Sequence, residues 1–214
     1  MLYVLCNNPF MVIPGESLRE RRRRETRHEI RVAALRLVRE HGFDKVTTDM
    51  ISAEAGVSSR TFFNYFPNKE EAVLPGPTEL PSPLIEEFVA AGPAPAREVL
   101  ADLTRLLVRE LADNPPSRAD LRDVFALAGE HPALHTALVA RFDGFRRSVA
   151  EVVGRRLGLE PGDEVPGLMA ALALTAVRTG VERWSGSGSE GTDDDSPVPH
   201  VERSMELLRS LLTG

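Results

Sequence analysis

Apolar residues recur at three- and four-residue steps along most of the chain, and that period predicts helices. Ile30, Ala34, Leu37 and Val38 mark one face of a first long helix beginning near Ser17 or Leu18. Gly42, just after His41, is placed to close it. Phe43 and Val46 then pack the connecting loop onto the same face. Thr47 and Thr48 are both positioned to cap a short second helix carrying Met50, Ile51 and Ala55. Gly56 supplies the turn after it, and Val57 plugs the angle between two helices. Ser58 caps a third helix, about Ser59 to Phe66, whose Phe62 and Phe66 lie four apart and face inward. Pro67 stops that helix, and Asn68 caps a fourth from Lys69 to about Leu74.

The run Pro75 to Pro83 holds four prolines and Gly76, and it marks a domain boundary. Beyond it the helical period resumes over Leu84 to Ala91, Ala96 to Ala112, Arg118 to Glu130, His135 to Leu157, Glu164 to Arg183 and Val198 to Leu212. No stretch alternates long enough to predict a sheet. Trp184 to Pro199, rich in Ser, Gly and Asp, reads as an exposed, flexible loop. The expected fold is all-α: a three-helix helix-turn-helix domain at 17–74, linked to a larger helical bundle at 75–214. Residues 1–16 read as a disordered leader.

Composition narrows the possibilities. The one cysteine, Cys6, excludes a disulfide framework and cannot alone build a zinc site, and it suits a reducing cytoplasm. No run approaches the ~18 apolar residues of a membrane helix. The net charge of -6 argues against a nucleic-acid partner until its distribution is considered. Glu16 to Glu70 carries twelve Lys/Arg against nine Asp/Glu, so a basic N-terminal third sits on an acidic remainder. That asymmetry fits a chain with only one end that meets phosphate.

Two short helices joined by a glycine turn form a helix-turn-helix, whose second helix enters the major groove by its N-terminal end. With Phe62 and Phe66 inward, Ser59, Arg60, Phe63 and Asn64 lie on or near the outward face. Here the residues carry a family likeness. The segment Thr47 to Leu74, TTDMISAEAGVSSRTFFNYFPNKEEAVL, closely resembles the DNA-binding head of the TetR-type repressor family. The likeness covers the turn Ala55-Gly56-Val57-Ser58, the TFFNYF segment and the Pro67-Asn68-Lys69-Glu70 start of the fourth helix. It implies that Thr48 caps the second helix and touches a phosphate, and that Thr61, Asn64 and Tyr65 contact the backbone. Lys69 is expected to meet a phosphate. Ser59, Arg60 and Phe63 are expected to meet base edges, with Arg60 on guanine and Phe63 on a thymine methyl. Thr47 and Ser58 complete the DNA-facing set. Asp49 stands where some relatives place a basic base-reading residue, and no contact is expected from it.

For the remainder, the resemblance implies a ligand-binding and dimerisation domain and a homodimer on a palindromic operator. Leu168, Leu172, Leu174 and Val177, with Val201, Met205, Leu208 and Leu212, are the expected dimer-interface residues. Phe125, Phe142, Phe145, Arg178 and Trp184 are the expected lining of a ligand pocket, with His131 as another group able to meet an anion. The ligand is expected to be small and hydrophobic, such as an acyl thioester, and to release a repressor from its operator. An activator or a ligand-independent regulator would use the same head. His131, His135, Asp143 and Arg141 could belong to an enzyme, but they show no nucleophile-base pairing or metal-ligand spacing. No cofactor, metal or membrane partner is expected.

Overall fold

The computed structural model describes residues 18–74, 76, 79–160, 162–186 and 196–213. The leader expected at 1–16 lies outside them, as do residues 187–195 of the expected loop. Of the described residues 82% are helical, and no strand occurs among them. The helices are α1 (Leu18–His41), α2 (Thr48–Glu54), α3 (Ser59–Tyr65), α4 (Lys69–Val73), α5 (Ser82–Ala90), α6 (Ala96–Asp113), α7 (Arg118–Glu130), α8 (Pro132–Leu157), α9 (Glu164–Gly186) and α10 (Val198–Thr213). A 3-10 turn, Phe43–Lys45, joins α1 to α2. No described helix is long and apolar enough to cross a membrane.

These helices form two compact units. The first comprises residues 1–76 and 119–140, and the second 77–118 and 141–214. Residues 119–140, which the sequence reading placed with the C-terminal domain, thus cluster with the N-terminal helices. The core of the first unit joins Ile30, Ala34 and Leu37 of α1 to Ile51, Phe62, Phe66 and Val73, and also to Val124, Ala128 and Leu134. Arg39 on α1 reinforces that grouping through Asp120 at 2.6 Å and Asp123 at 2.5 Å.

The second unit packs α5, α6, the later part of α8, α9 and α10 around Phe88, Val99, Leu103, Val149, Val153 and Ala173. Its tightest crossing joins α9 to α10. A Cβ added at Gly180 would lie 2.5 Å from Val201 Cα and 2.8 Å from the His200 carbonyl oxygen, so only glycine allows the approach. Val201 and Met205 are buried in this core, at 0% and 7% exposure. They therefore pack within one chain, contrary to the expected interface role. The exposed apolar residues of the two helices are Val165, Leu168, Leu207 and Leu211. Leu172, Leu174, Val177 and Leu208 are half-buried, and the Leu212 side chain lies outside the described set.

Trp184 is also not in a loop. Helix α9 continues to Gly186, and Trp184 is buried with the Arg118 guanidinium 4.9 Å above its ring. Arg156 of α8 is buried as well. It donates to the Gly92 carbonyl at 3.1 Å, pairs with Asp102 and covers the Phe88 ring at 4.5 Å.

Near the end of α6, burial and then the neighbouring Asp113 charge push the Glu110 carboxyl up to about 7, against an opposing hydrogen bond from Asn114. Glu110 thus holds its proton in the folded chain at pH values where the unfolded chain has lost it. Its contribution to stability is full at acidic pH and falls as pH rises from about 4.5 through about 7. Glu110→Gln should raise Tm at pH 8, with the gain disappearing by pH 4. Gly180→Ala should cost roughly 1–3 kcal/mol by forcing α9 and α10 apart. Gly144→Ala, inside α8 and meeting only the far end of Arg147 at 4.0 Å, should instead add roughly 0.5–1 kcal/mol. Urea denaturation reads both.

Candidate nucleic-acid interface

The local chemistry of α2 and α3 is spent first on making the helices. Thr47 takes the cap of α2, its side chain accepting from the Met50 N–H at 3.2 Å. Thr48 is the first helical residue, so the cap expected of Thr48 belongs to its neighbour. The end of α2 is closed by a Schellman pair: Val57 N–H donates to the Ser52 carbonyl at 2.9 Å, and Gly56 N–H to the Ala53 carbonyl at 3.2 Å. Gly56 carries the required positive φ of 67°. Ala55 packs on the core there, whereas Ala53 is exposed.

Helix α3 is capped by Ser58, which accepts from the Thr61 N–H at 3.0 Å and shares a 2.8 Å hydrogen bond with the Thr61 hydroxyl. Both hydroxyls are thereby tied to the helix start. Phe62 and Phe66 are buried, at 0% and 1% exposure, with ring centroids 6.0 Å apart. The opposite side presents Arg60, Phe63 and Asn64 to solvent. Phe63 is 54% exposed while its ring meets Phe62 edge-on at 5.3 Å. Tyr65 is half-buried against the core. The structure thus brings Ser59, Arg60, Phe63 and Asn64 onto one small helix, as the spacing implied.

Two polar contacts were invisible in the sequence. The Ser59 hydroxyl donates to Asp49 Oδ1 at 2.7 Å, joining the first turns of α2 and α3. The Lys69 ammonium turns inward, donating to the Phe43 carbonyl at 2.9 Å and the Val46 carbonyl at 3.0 Å. It also lies 4.4 Å from the centre of the Phe43 ring. Two of its three N–H donors are therefore occupied, which leaves one for any phosphate. His131 meets the same turn, with its ring 4.9 Å from Phe43 and Nδ1 3.4 Å from Asp44.

The expected pocket residues are scattered. Phe125 lies half-buried on α7 in the first unit, and the other four lie in the second. Phe145 and Trp184 are core residues, and Arg178 lies 5.9 Å from the Phe142 ring centre while pairing with Glu182 at 2.8 Å. A cleft of about 410 Å³ in the second unit is lined by other residues, among them Leu84, Phe88, Leu106, Arg105, Arg109 and Arg156.

Residues 30–74 match the family model described as bacterial regulatory proteins, tetR family, and residues 97–210 match the MftR C-terminal domain. The chain belongs to the TetR family. This TetR-family chain is 26% identical over 194 residues to a Mycobacterium tuberculosis protein whose name proposes it as the mycofactocin biosynthesis transcriptional regulator MftR. That alignment covers 80% of this chain and 86% of the relative. It is 31% identical over 176 residues to the HTH-type transcriptional regulator TcmR of Streptomyces glaucescens, covering 78% of this chain and 66% of TcmR. A solved structure from Syntrophomonas wolfei, described as a TetR-family regulator, matches at a TM-score of 0.52 and 19% identity over 89% of this chain and 96% of that one. This last match shows the fold alone. The chain is a transcriptional regulator of this family, a class of regulators and not of enzymes.

Lys69→Met keeps the stem and removes the donors, leaving the two carbonyls short of a partner. It should cost roughly 1–3 kcal/mol in urea denaturation. The salt slope of DNA binding should stay unchanged, because the ammonium is committed to the Phe43–Val46 turn. A slope lower by about one would assign the lysine to a phosphate instead.

Proposed function

We propose that this TetR-family regulator is a homodimeric repressor that binds a palindromic operator and leaves it when a small hydrophobic ligand binds the second unit. The observation that carries the DNA-binding part is the division of α3. Its inner face is fully buried, its capping groups are tied to the helix start, and Arg60, Phe63 and Asn64 remain outward. An exposed arginine and an exposed phenylalanine match a guanine edge and a thymine methyl in the major groove. Thr47, Thr48, Ser58, Thr61 and Tyr65 surround that patch as candidates for phosphate contact, while the Lys69 ammonium stays with the Phe43 and Val46 carbonyls.

Dimerisation is supported by the exposed Leu168, Leu207 and Leu211 on α9 and α10. Leucines at 62%, 55% and 82% exposure lose most by staying in water. Two-fold symmetry in the protein then requires two-fold symmetry in the operator. Ligand response is supported by the cleft between α5, α6 and α8, lined by Phe88 and Leu106 and by the ion pairs of Arg105 with Asp102 and Arg109 with Glu87. The exposed Phe142 beside Arg178 is the alternative anchor.

Deletion of the gene should raise expression of the genes it controls, whereas a fall would make it an activator. In fluorescence anisotropy with operator DNA, Arg60→Ala should weaken binding by roughly 1–3 kcal/mol and relax preference at one position per half-site. Tyr65→Ala should weaken all sequences alike.

A further inference from the structure

We propose that Asp49 reads a cytosine, and that Ser59 holds it in place to do so. The proposal rests on the DNA-binding reading above. Asp49 is exposed in the first turn of α2, yet its Oδ1 accepts a 2.7 Å hydrogen bond from Ser59, the first residue of α3. That bond brings the carboxylate to the N-terminal end of the recognition helix, the end that meets base edges in this motif. No contact was expected of Asp49 from the sequence, because an acid there replaces the basic base-reading residue of some relatives.

The hydrogen-bond inventory decides which base suits the pair. Asp49 Oδ2 has no donor among the described residues. An ionised carboxylate only accepts. In the major groove, the exposed amino donors are cytosine N4 and adenine N6. Adenine is read well when a second group donates to its N7. The Ser59 proton is already committed to Asp49, and a neighbouring arginine meets two acceptors on guanine but only one, beside an opposing amino donor, on adenine. Cytosine N4 needs only an acceptor, and its guanine partner presents N7 and O6 to a neighbouring donor. Arg60, exposed and adjacent to Ser59, is that donor. Asp49 and Arg60 therefore suit the two halves of one C·G pair, or of adjacent pairs. Guanine O6 and thymine O4 facing Asp49 would set oxygen against oxygen and be rejected.

The test is selection from a randomised duplex library by the full-length protein, comparing wild type with Asp49→Ala, Asp49→Asn and Ser59→Ala. Wild type should select cytosine at one symmetric position of each half-site. Asp49→Ala should reduce that preference by about five- to tenfold while leaving the other positions unchanged. Asp49→Asn, which has both a donor and an acceptor, should move it toward adenine. Ser59→Ala should blur the same position and no other. Circular dichroism of each variant checks folding, and Asp49→Asn keeps the proposal testable where alanine disturbs α2. If all three variants keep the wild-type preference at every position, the proposal is overturned. A uniform rise in affinity without any change in preference also overturns it, since Asp49 would then act only as a repulsive charge. A wild type that selects no sequence at all would instead sink the DNA-binding reading beneath it.

Discussion

Two helices of seven residues and one of five cannot hold their shape alone in water. The whole DNA-facing surface depends on supplying them with shape from outside. Burial supplies most of it, because Ile51, Phe62, Phe66, Ala72, Val73 and Leu74 all reach 0–1% exposure in the core that Ile30 and Ala34 of α1 help to form. Side-chain caps supply the remainder: Thr47, Ser58 and Asn68 each satisfy a backbone N–H at a helix start. A cap of this kind is typically worth about 1 kcal/mol. Three of them matter in a unit whose helices are this short. The consequence for function is selective. Hydroxyls and amides used as caps are less available to DNA, and the free chemistry of α3 concentrates in Arg60, Phe63 and Asn64.

The electrostatics need the same separation between groups that are present and groups that are available. Arg21 pairs with Glu25, Arg36 with Glu54, Arg39 with Asp120 and Asp123, and Arg27 covers the Phe66 ring at 4.9 Å. Counting them all as phosphate ligands would overstate the attraction. Yet an exposed ion pair is worth only about 0–1 kcal/mol, so Arg21 and Arg36 can swing to a phosphate at little cost. Arg39 differs, because it has two carboxylates to give up. The basic surplus of the N-terminal third is therefore a reservoir of which only part is held back.

Helix positions, both helix-turn-helix faces, the turn at Gly56 and the caps at Ser58 and Asn68 were legible in the sequence. Each depends on residues within four or five positions of one another, where periodicity and turn chemistry operate. What escaped reading depends on distance along the chain. Lys69 reaches Phe43 across 26 residues and Ser59 reaches Asp49 across ten, and no local pattern encodes either. Helix phase misled in a different way. Val201 and Met205 look as suitable for a partner as Leu207 and Leu211, but the close approach at Gly180 and the packing of the second core turn the first pair inward. The Ser-Gly composition that follows Trp184 predicts a loop there, but the helical backbone continues one turn further, to Gly186.

The Ser59–Asp49 bond changes how an acidic group on a DNA-binding face should be valued. A carboxylate there weakens binding to every sequence through repulsion from phosphate. It regains that loss only where a base offers it a hydrogen-bond donor. Non-specific affinity then falls more than affinity for the correct site. For a regulator, the working quantity is the ratio between the two, set against the many competing sites in a genome. A basic residue at the same place would raise both affinities together. An acid held by a serine at the start of the recognition helix raises the ratio at the expense of total affinity, and the surplus of arginines in α1 is suited to restoring the total without sequence preference.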